Sequence, residues 1–166
     1  MIFVTVGTHE QPFNRLVEYI DNLKKNNLLQ EDVVIQTGFS TYKPEYCKWS
    51  KLFSYQEMLE FVKRARIVIT HGGPSSFIMP LQVGKIPIVV PRQKQFDEHV
   101  NDHQVEFAKA VAERQENIIV IEDIKKLEET IKNYNETVIS MTSELHSNNA
   151  KFCTSFEQLV REILGV

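Results

Sequence analysis

Cysteine is nearly missing from this chain: Cys47 and Cys153 are the only two in 166 residues, far apart and in no C-x-x-C spacing. That excludes a disulfide-stapled scaffold and a zinc ribbon, and fits two ordinary thiols in a reducing compartment. Long apolar runs are lacking too. No stretch approaches the ~20 residues needed to span a bilayer. The opening Met1-Ile2-Phe3-Val4 has no cationic stretch before it, so it reads as a first strand and not as a signal peptide. Positive charge is scarce: 19 Lys plus Arg stand against 22 Asp plus Glu, a net charge of −3, and no basic block exceeds two residues. Such a chain is a poor candidate for gripping nucleic acid or an anionic membrane through charge alone. The signatures G-x-x-x-x-G-K-[ST] and G-x-G-x-x-G are absent, which argues against P-loop NTPases and the common NAD enzymes. The aspartates are Asp21, Asp32, Asp97, Asp102 and Asp123; no two are separated by one residue, so no Asp-x-Asp pair stands ready for a divalent ion.

What is present is enough apolar content, 42%, to build one core in a chain of one-domain length. Ile2–Val6 is β-rich and stops at Gly7. Phe13, Leu16, Val17, Ile20 and Leu23 then recur at helical spacing, with Thr8-x-x-Gln11 as a possible cap. Further strands are expected at Val33–Gln36, within Tyr46–Phe53, and at Ile67–Thr70, Ile86–Val90 and Ile118–Ile121. Helices are expected after the Ser54-x-x-Glu57 capping box, over Ser75–Val83 up to Gly84, over Val100–Glu113, and from Ile124 to Tyr134. Alternating strands and helices, with continuous apolar strands, indicate an α/β fold: a Rossmann-like parallel sheet of about six strands with helices on both faces. Asn133–Ala150 is polar and reads as a loop with one helical turn at most. The stripe Phe152, Phe156, Leu159, Val160, Ile163 and Leu164 beyond it predicts a last helix that packs on its own domain or on a partner.

In a doubly wound sheet, ligands sit at the carboxyl ends of the strands where the strand order reverses. With order 3-2-1-4-5-6, Gly7-Thr8-His9 after the first strand faces His71-Gly72-Gly73-Pro74-Ser75-Ser76 after the fourth. The second loop suits a phosphate. Gly72 and Gly73 admit close backbone approach, Pro74 and Ser75 open a helix whose N-terminus favours anions, and Ser75, Ser76 and His71 add donors. A plain Gly-Gly turn with a Ser cap fits the same residues. After the fifth strand lies a polar cluster, Pro91 to Gln104, containing Arg92, Glu98, His99, Asp102, His103 and Gln104. Gln104 could pair with sugar hydroxyls, because an amide both donates and accepts. Glu98, His99, Asp102 and His103 have metal-ligating chemistry, but nothing in the sequence fixes them on one face, so no metal is expected. A solvated polar loop is the plain alternative.

Taken together, His71-Gly72-Gly73-Pro74-Ser75-Ser76, Gly84-Lys85, Pro91-Arg92, Glu98-His99 and Asp102-His103-Gln104 resemble the C-terminal domain of GT-B glycosyltransferases of the MurG/Alg13 group. The likeness is strongest to capsule and exopolysaccharide subunits of the PssE and pneumococcal type 14 β-1,4-galactosyltransferase kind. The opening Val4-Thr5-Val6-Gly7-Thr8-His9-Glu10-Gln11 is similar to theirs as well. The resemblance covers roughly residues 1 to 131. It implies a donor-nucleotide-binding domain over residues 1–134 and a loop and helix over 135–166. It further implies a UDP-sugar donor carrying galactose or N-acetylglucosamine. The diphosphate would be held by Gly7, Thr8, His71, Gly72, Gly73, Ser75 and Ser76. Arg92, Glu98, His99, Asp102, His103 and Gln104 would lie on the donor-sugar side, and the Leu52-Phe53-Ser54 segment, Phe53 above all, against the uracil. Where the group carries a ribose-binding Glu, this chain has Met79.

The resemblance also implies an inverting enzyme split over two chains. The acceptor half would be a membrane-associated Alg14/PssD-like subunit presenting a lipid-linked saccharide, which would place this chain in the cytoplasm at the inner membrane face. The catalytic base would be His9 or a group from the partner. Neither a cofactor nor a metal is expected beyond the UDP-sugar itself. A non-catalytic UDP-sugar-binding regulatory subunit is the competing reading. An epimerase-like enzyme is disfavoured, because epimerases need both domains in one chain.

Overall fold

The computed structural model describes residues 1–141 together with residues 154, 157, 158 and 161. The apolar C-terminal stripe from Phe152 to Leu164 falls outside the described residues. Strands β1 (Ile2–Thr5), β2 (Val33–Gln36), β3 (Lys48–Ser50), β4 (Ile67–Thr70), β5 (Ile88–Val89) and β6 (Ile119–Val120) form one sheet in the order β3-β2-β1-β4-β5-β6. Every neighbouring pair is parallel. The α/β class, the strand number and the strand order are those expected from the sequence.

The helices are α1 (Asn14–Lys25), α2 (Tyr55–Arg64), α3 (Pro74–Gln82), α4 (His103–Gln115), α5 (Leu127–Lys132) and α6 (Tyr134–Met141). Successive strand residues point to opposite faces. Ile2, Val4, Val33, Ile35, Ile67, Ile69 and Ile88 meet Leu16, Val17, Ile20 and Leu23 of α1 and Leu127 and Ile131 of α5 on one face. Phe3, Val34 and Val68 meet Val62 and Ala65 at the end of α2 on the other. Val89 carries that second face on to Phe77 of α3 and Ala108 of α4. Each Val, Leu, Ile or Phe among these contributes about 1.5–3 kcal/mol when fully buried. Both faces of the sheet are therefore covered, and its carboxyl-end loops are left for function.

Several boundaries differ from the sequence expectation, each for a local reason. Thr8 and Gln11 do not cap α1. The helix starts at Asn14 with no side-chain cap on its first amides, because Pro12 disfavours helical backbone at Gln11. Asn14 itself ties down the neighbouring loop, its Oδ1 accepting from Thr41 N and Tyr42 N. Strand β5 is only two residues long; Pro87 has no N–H to add to the ladder. Helix α4 starts at His103, not Val100, and Val100 is exposed. The preceding amides are taken up locally: Lys94 N donates to Asp102 Oδ1 and His103 N to Asn101 Oδ1. Residues 134–141, expected as polar loop, form helix α6. Tyr134 anchors it, buried and donating its hydroxyl to Ile86 O at 2.6 Å.

One buried carboxylate escaped the sequence reading. Asp21 on α1 is fully buried and accepts from Tyr42 Oη and from the backbone amides of Glu45, Tyr46 and Cys47. Burial pushes its pKa up, but these bonds outweigh burial and hold it below the usual carboxylate range. It shapes the loop that leads into β3.

Candidate functional site

The loops after β1 and β4 meet, as neighbours in the strand order must, and enclose a crevice of about 670 Å³. Its lining has two ends. One is polar: Gly7, Thr8, His9, His71, Ser75, Ser76, His99 and Gln104. The other is largely apolar: Phe53, Tyr55, Met58, Val62 and Met79. Among the described residues no carboxylate, lysine or arginine lines it.

The polar end is organised around His71, which is buried. Gly73 N donates to its Nδ1 at 3.0 Å, and its Nε2 lies 2.8 Å from Ser76 Oγ. Burial first, and then the Arg92 guanidinium, lowers its pKa to about 4, so the ring is neutral at physiological pH. Glycine is demanded here by the ring as much as by any ligand. A Cβ on Gly7, whose φ is +74°, would meet His71 Nε2 at 2.3 Å, and one on Gly73 would meet His71 Cε1 at 2.2 Å. At Gly72 the obstacle is Gln104, with its Cβ 2.8 Å away.

These contacts correct the expected source of the donors. The amides of Gly72 and Gly73 are already spent, on Gln104 Oε1 at 3.1 Å and on His71 Nδ1. In the first turn of α3, Pro74 has no N–H and Ser76 N donates to Gly73 O. The groups left to face the crevice are Ser75 N–H and the hydroxyls of Ser75 and Ser76, at the positive end of the helix dipole. Gln104 holds the loop in place, its Oε1 accepting from both Gly72 N and Arg92 N, while its NH₂ remains to donate.

The cluster after β5 divides. His99 and Gln104 reach the crevice; Arg92, Glu98, Asp102 and His103 do not line it. Arg92 is fully buried. Its guanidinium donates to the carbonyls of Val6, Gln11, Pro12 and Glu98, and lies over the Phe13 ring at 4.8 Å. Burial lowers its pKa to about 10, which still leaves it charged near neutrality. Arg92 therefore staples the β1 loop to the β5 loop and places a positive charge behind the crevice wall. Glu98 is buried as well, held by Arg15 in two 2.8 Å bonds and by Gln93 N at 3.0 Å. Arg15 was missed from sequence, since on α1 it looks like an ordinary surface cation. Asp102 accepts from Lys94 N, and His103 is exposed with its ring beside Phe107. With Glu98 engaged in this way, the four candidate metal ligands share no centre; among the described residues no group of three or more His, Cys, Asp and Glu is gathered.

His9 stands exposed at the rim, with its Nε2 2.9 Å from Gln11 Oε1 and its ring stacked on His99 at 4.9 Å between centroids. At the apolar end, Phe53 lines the crevice and its amide donates to Gln36 Oε1, while Gln36 Nε2 donates to Thr5 Oγ1. Gln36 is a second miss. Its signal was a lone amide ending an apolar strand.

Comparison with known proteins agrees with this architecture. The family model for the glycosyltransferase family 28 C-terminal domain matches residues 1–162. The human UDP-N-acetylglucosamine transferase subunit ALG13 is 32% identical over 117 residues, covering 65% of this chain and 10% of that protein. The chain thus corresponds to about a tenth of the length of that curated relative. The solved glycotransferase of kitacinnamycin superposes with a TM-score of 0.56 at 18% identity, over 86% of this chain and 35% of that one, a likeness of fold. Among the described residues no helix is long and apolar enough to cross a membrane. The family match runs over nearly the whole sequence, and the sheet order and paired loops accord with it: this chain belongs to the glycosyltransferase family 28 C-terminal domain family.

Proposed function

We propose that this chain binds the UDP end of a nucleotide sugar and serves as the donor half of a two-chain, inverting glycosyltransferase. The observation that carries the reading is the two-ended crevice: hydroxyl donors at a helix N-terminus at one end, an apolar slot at the other. That is the division a nucleoside diphosphate requires. The diphosphate takes the donors of Ser75 and Ser76, and the base lies between Phe53 and the methionines. Gln104 NH₂ and the rim histidines then face the sugar. Galactose or N-acetylglucosamine is the sugar favoured, and the human relative's name supports the second. The acceptor is a lipid-linked saccharide of capsule or exopolysaccharide synthesis, presented by a membrane-associated Alg14/PssD-like partner. That partner would hold this chain at the inner face of the membrane.

In the reaction an acceptor hydroxyl attacks the anomeric carbon, a base removes its proton, and UDP departs. The leaving charge is met by Ser75 N–H, the two hydroxyls and the α3 dipole, with no metal required. His71 is no base, since its neutral ring has both nitrogens engaged. Within this chain His9 remains the candidate, with His99 stacked on it. The lack of any carboxylate in the lining favours a base from the partner, and it gives the regulatory reading its one support.

Calorimetric titration of the chain with UDP, UDP-galactose and UDP-N-acetylglucosamine tests the proposal. Binding that weakens about tenfold or more in Ser75→Ala supports it. No binding of any UDP compound would sink it. In the reconstituted pair, loss of transfer on mutating Ser75 separates a donor site from a regulator, which would leave basal transfer intact.

A further inference from the structure

His71 has both ring nitrogens engaged. Gly73 N–H donates to Nδ1, so that nitrogen bears no proton. In a neutral ring the proton is then on Nε2, where it points at Ser76 Oγ, 2.8 Å away. A serine oxygen that accepts at that position keeps its own O–H for another acceptor. Gly7 and Gly73 pack against the ring so closely that a Cβ on either would fall 2.2–2.3 Å from ring atoms. Neither ring nitrogen is left over to bond a ligand.

We propose that His71 acts on a bound diphosphate only through Ser76, fixing the serine hydroxyl as a donor aimed at the anion. Phosphate oxygens near neutrality are acceptors, so a serine presented with its lone pairs forward would repel them. His71 removes that alternative before the ligand arrives. It is a positioning residue, and the group that touches the ligand is Ser76. This inference rests on the reading of the crevice as a diphosphate site.

The test is a double-mutant cycle on UDP affinity with the full chain, using His71→Leu, Ser76→Ala and the pair. Ser76→Ala and His71→Leu should each lose about tenfold or more, and the pair should lose no more than Ser76→Ala alone. His71→Gln, whose amide can still donate to Ser76, should recover most of the affinity. Losses that multiply in the pair would overturn the inference, since His71 would then act by a separate route. Long-range ¹⁵N spectra of the wild-type imidazole check it without any variant: the Nε2–H tautomer should be present with and without UDP. A proton on Nδ1 would overturn the inference while leaving UDP binding, and the functional proposal, intact. Failure of the wild-type chain to bind UDP would remove the functional proposal itself.

Discussion

The loop after β4 and the loop after β5 are both rich in polar residues at the ligand edge of the sheet, yet they spend them in opposite directions. The β4 loop ends with Ser75 and Ser76 facing the crevice. The β5 loop turns its strongest groups inward: Arg92, Gln93 and Glu98 are 0%, 6% and 3% exposed. The difference lies in what surrounds each loop. The β4 loop passes straight into a helix, and the amides of Gly72 and Gly73 are met by Gln104 and by the loop's own His71. The β5 loop and the irregular β1 loop beside it have no regular partner, so buried carbonyls such as Val6 O need a donor from elsewhere. Arg92 supplies it, and Glu98 with Arg15 closes the remainder. Polar groups in a ligand-edge loop thus stay open to the crevice in one case and satisfy buried partners in the other.

The largest effect should come from breaking the β5 loop. Arg92→Met leaves four carbonyls without their donor, and should cost roughly 3–5 kcal/mol, a large part of a small domain's stability. Urea unfolding of the variant checks this. A midpoint close to wild type would mean that Arg92 is free to serve a ligand after all.

The next effect belongs to the β4 loop and is read through pH. The folded pKa of His71 is about 4, below the ordinary 6.5, so the unfolded chain takes up the proton first. The stability His71 permits is complete above about pH 6.5, falls as pH drops toward 4, and is then level, a total of about 3 kcal/mol. Asp21, whose pKa is lowered, deepens the loss at the acid end, because its contribution fades as its carboxylate is protonated. Denaturant midpoints at pH 7.5 and 4.5 should lie closer together in His71→Gln than in wild type; an equal separation in the two would mean that the ring titrates normally.

Ser75→Ala should sharpen the contrast with a smaller effect of a different kind. UDP affinity should fall by roughly 1.5–3 kcal/mol, as for a hydrogen bond to a charged group. The urea midpoint should stay put, since the side chain is exposed and makes no structural bond that would be lost. A stability loss without an affinity loss would reverse the assignments of the two loops. The smallest effect expected is none: transfer by the reconstituted pair should survive EDTA, because a helix N-terminus can neutralise a leaving diphosphate without a cation. Loss on chelation, with recovery on adding Mg²⁺ or Mn²⁺, would show that the polar β5 cluster or the partner holds a metal.

The sequence alone settled what depends on local periodicity and nearest neighbours. The unbroken apolar runs of β1, β2 and β4 specify buried parallel strands, and alternation with amphipathic helices specifies the layers. The Ser54–Glu57 capping box, which forms as read, marks a helix start, and Gly-Gly-Pro-Ser after a strand marks the loop that opens α3. Only the tertiary structure decided where each polar side chain points. Arg92 and Glu98 are indistinguishable from ligand-binding residues in one dimension. What commits Arg92 to the interior is the set of carbonyls at Val6, Gln11 and Pro12, and what commits Glu98 is Arg15, all about eighty residues earlier in the chain. The same holds for Gly7 and Gly73, whose missing Cβ atoms make room for an imidazole brought in by the fold. A hydrogen-bonding group answers to whatever buried partner the fold sets beside it, and that partner is named by topology rather than by sequence neighbours.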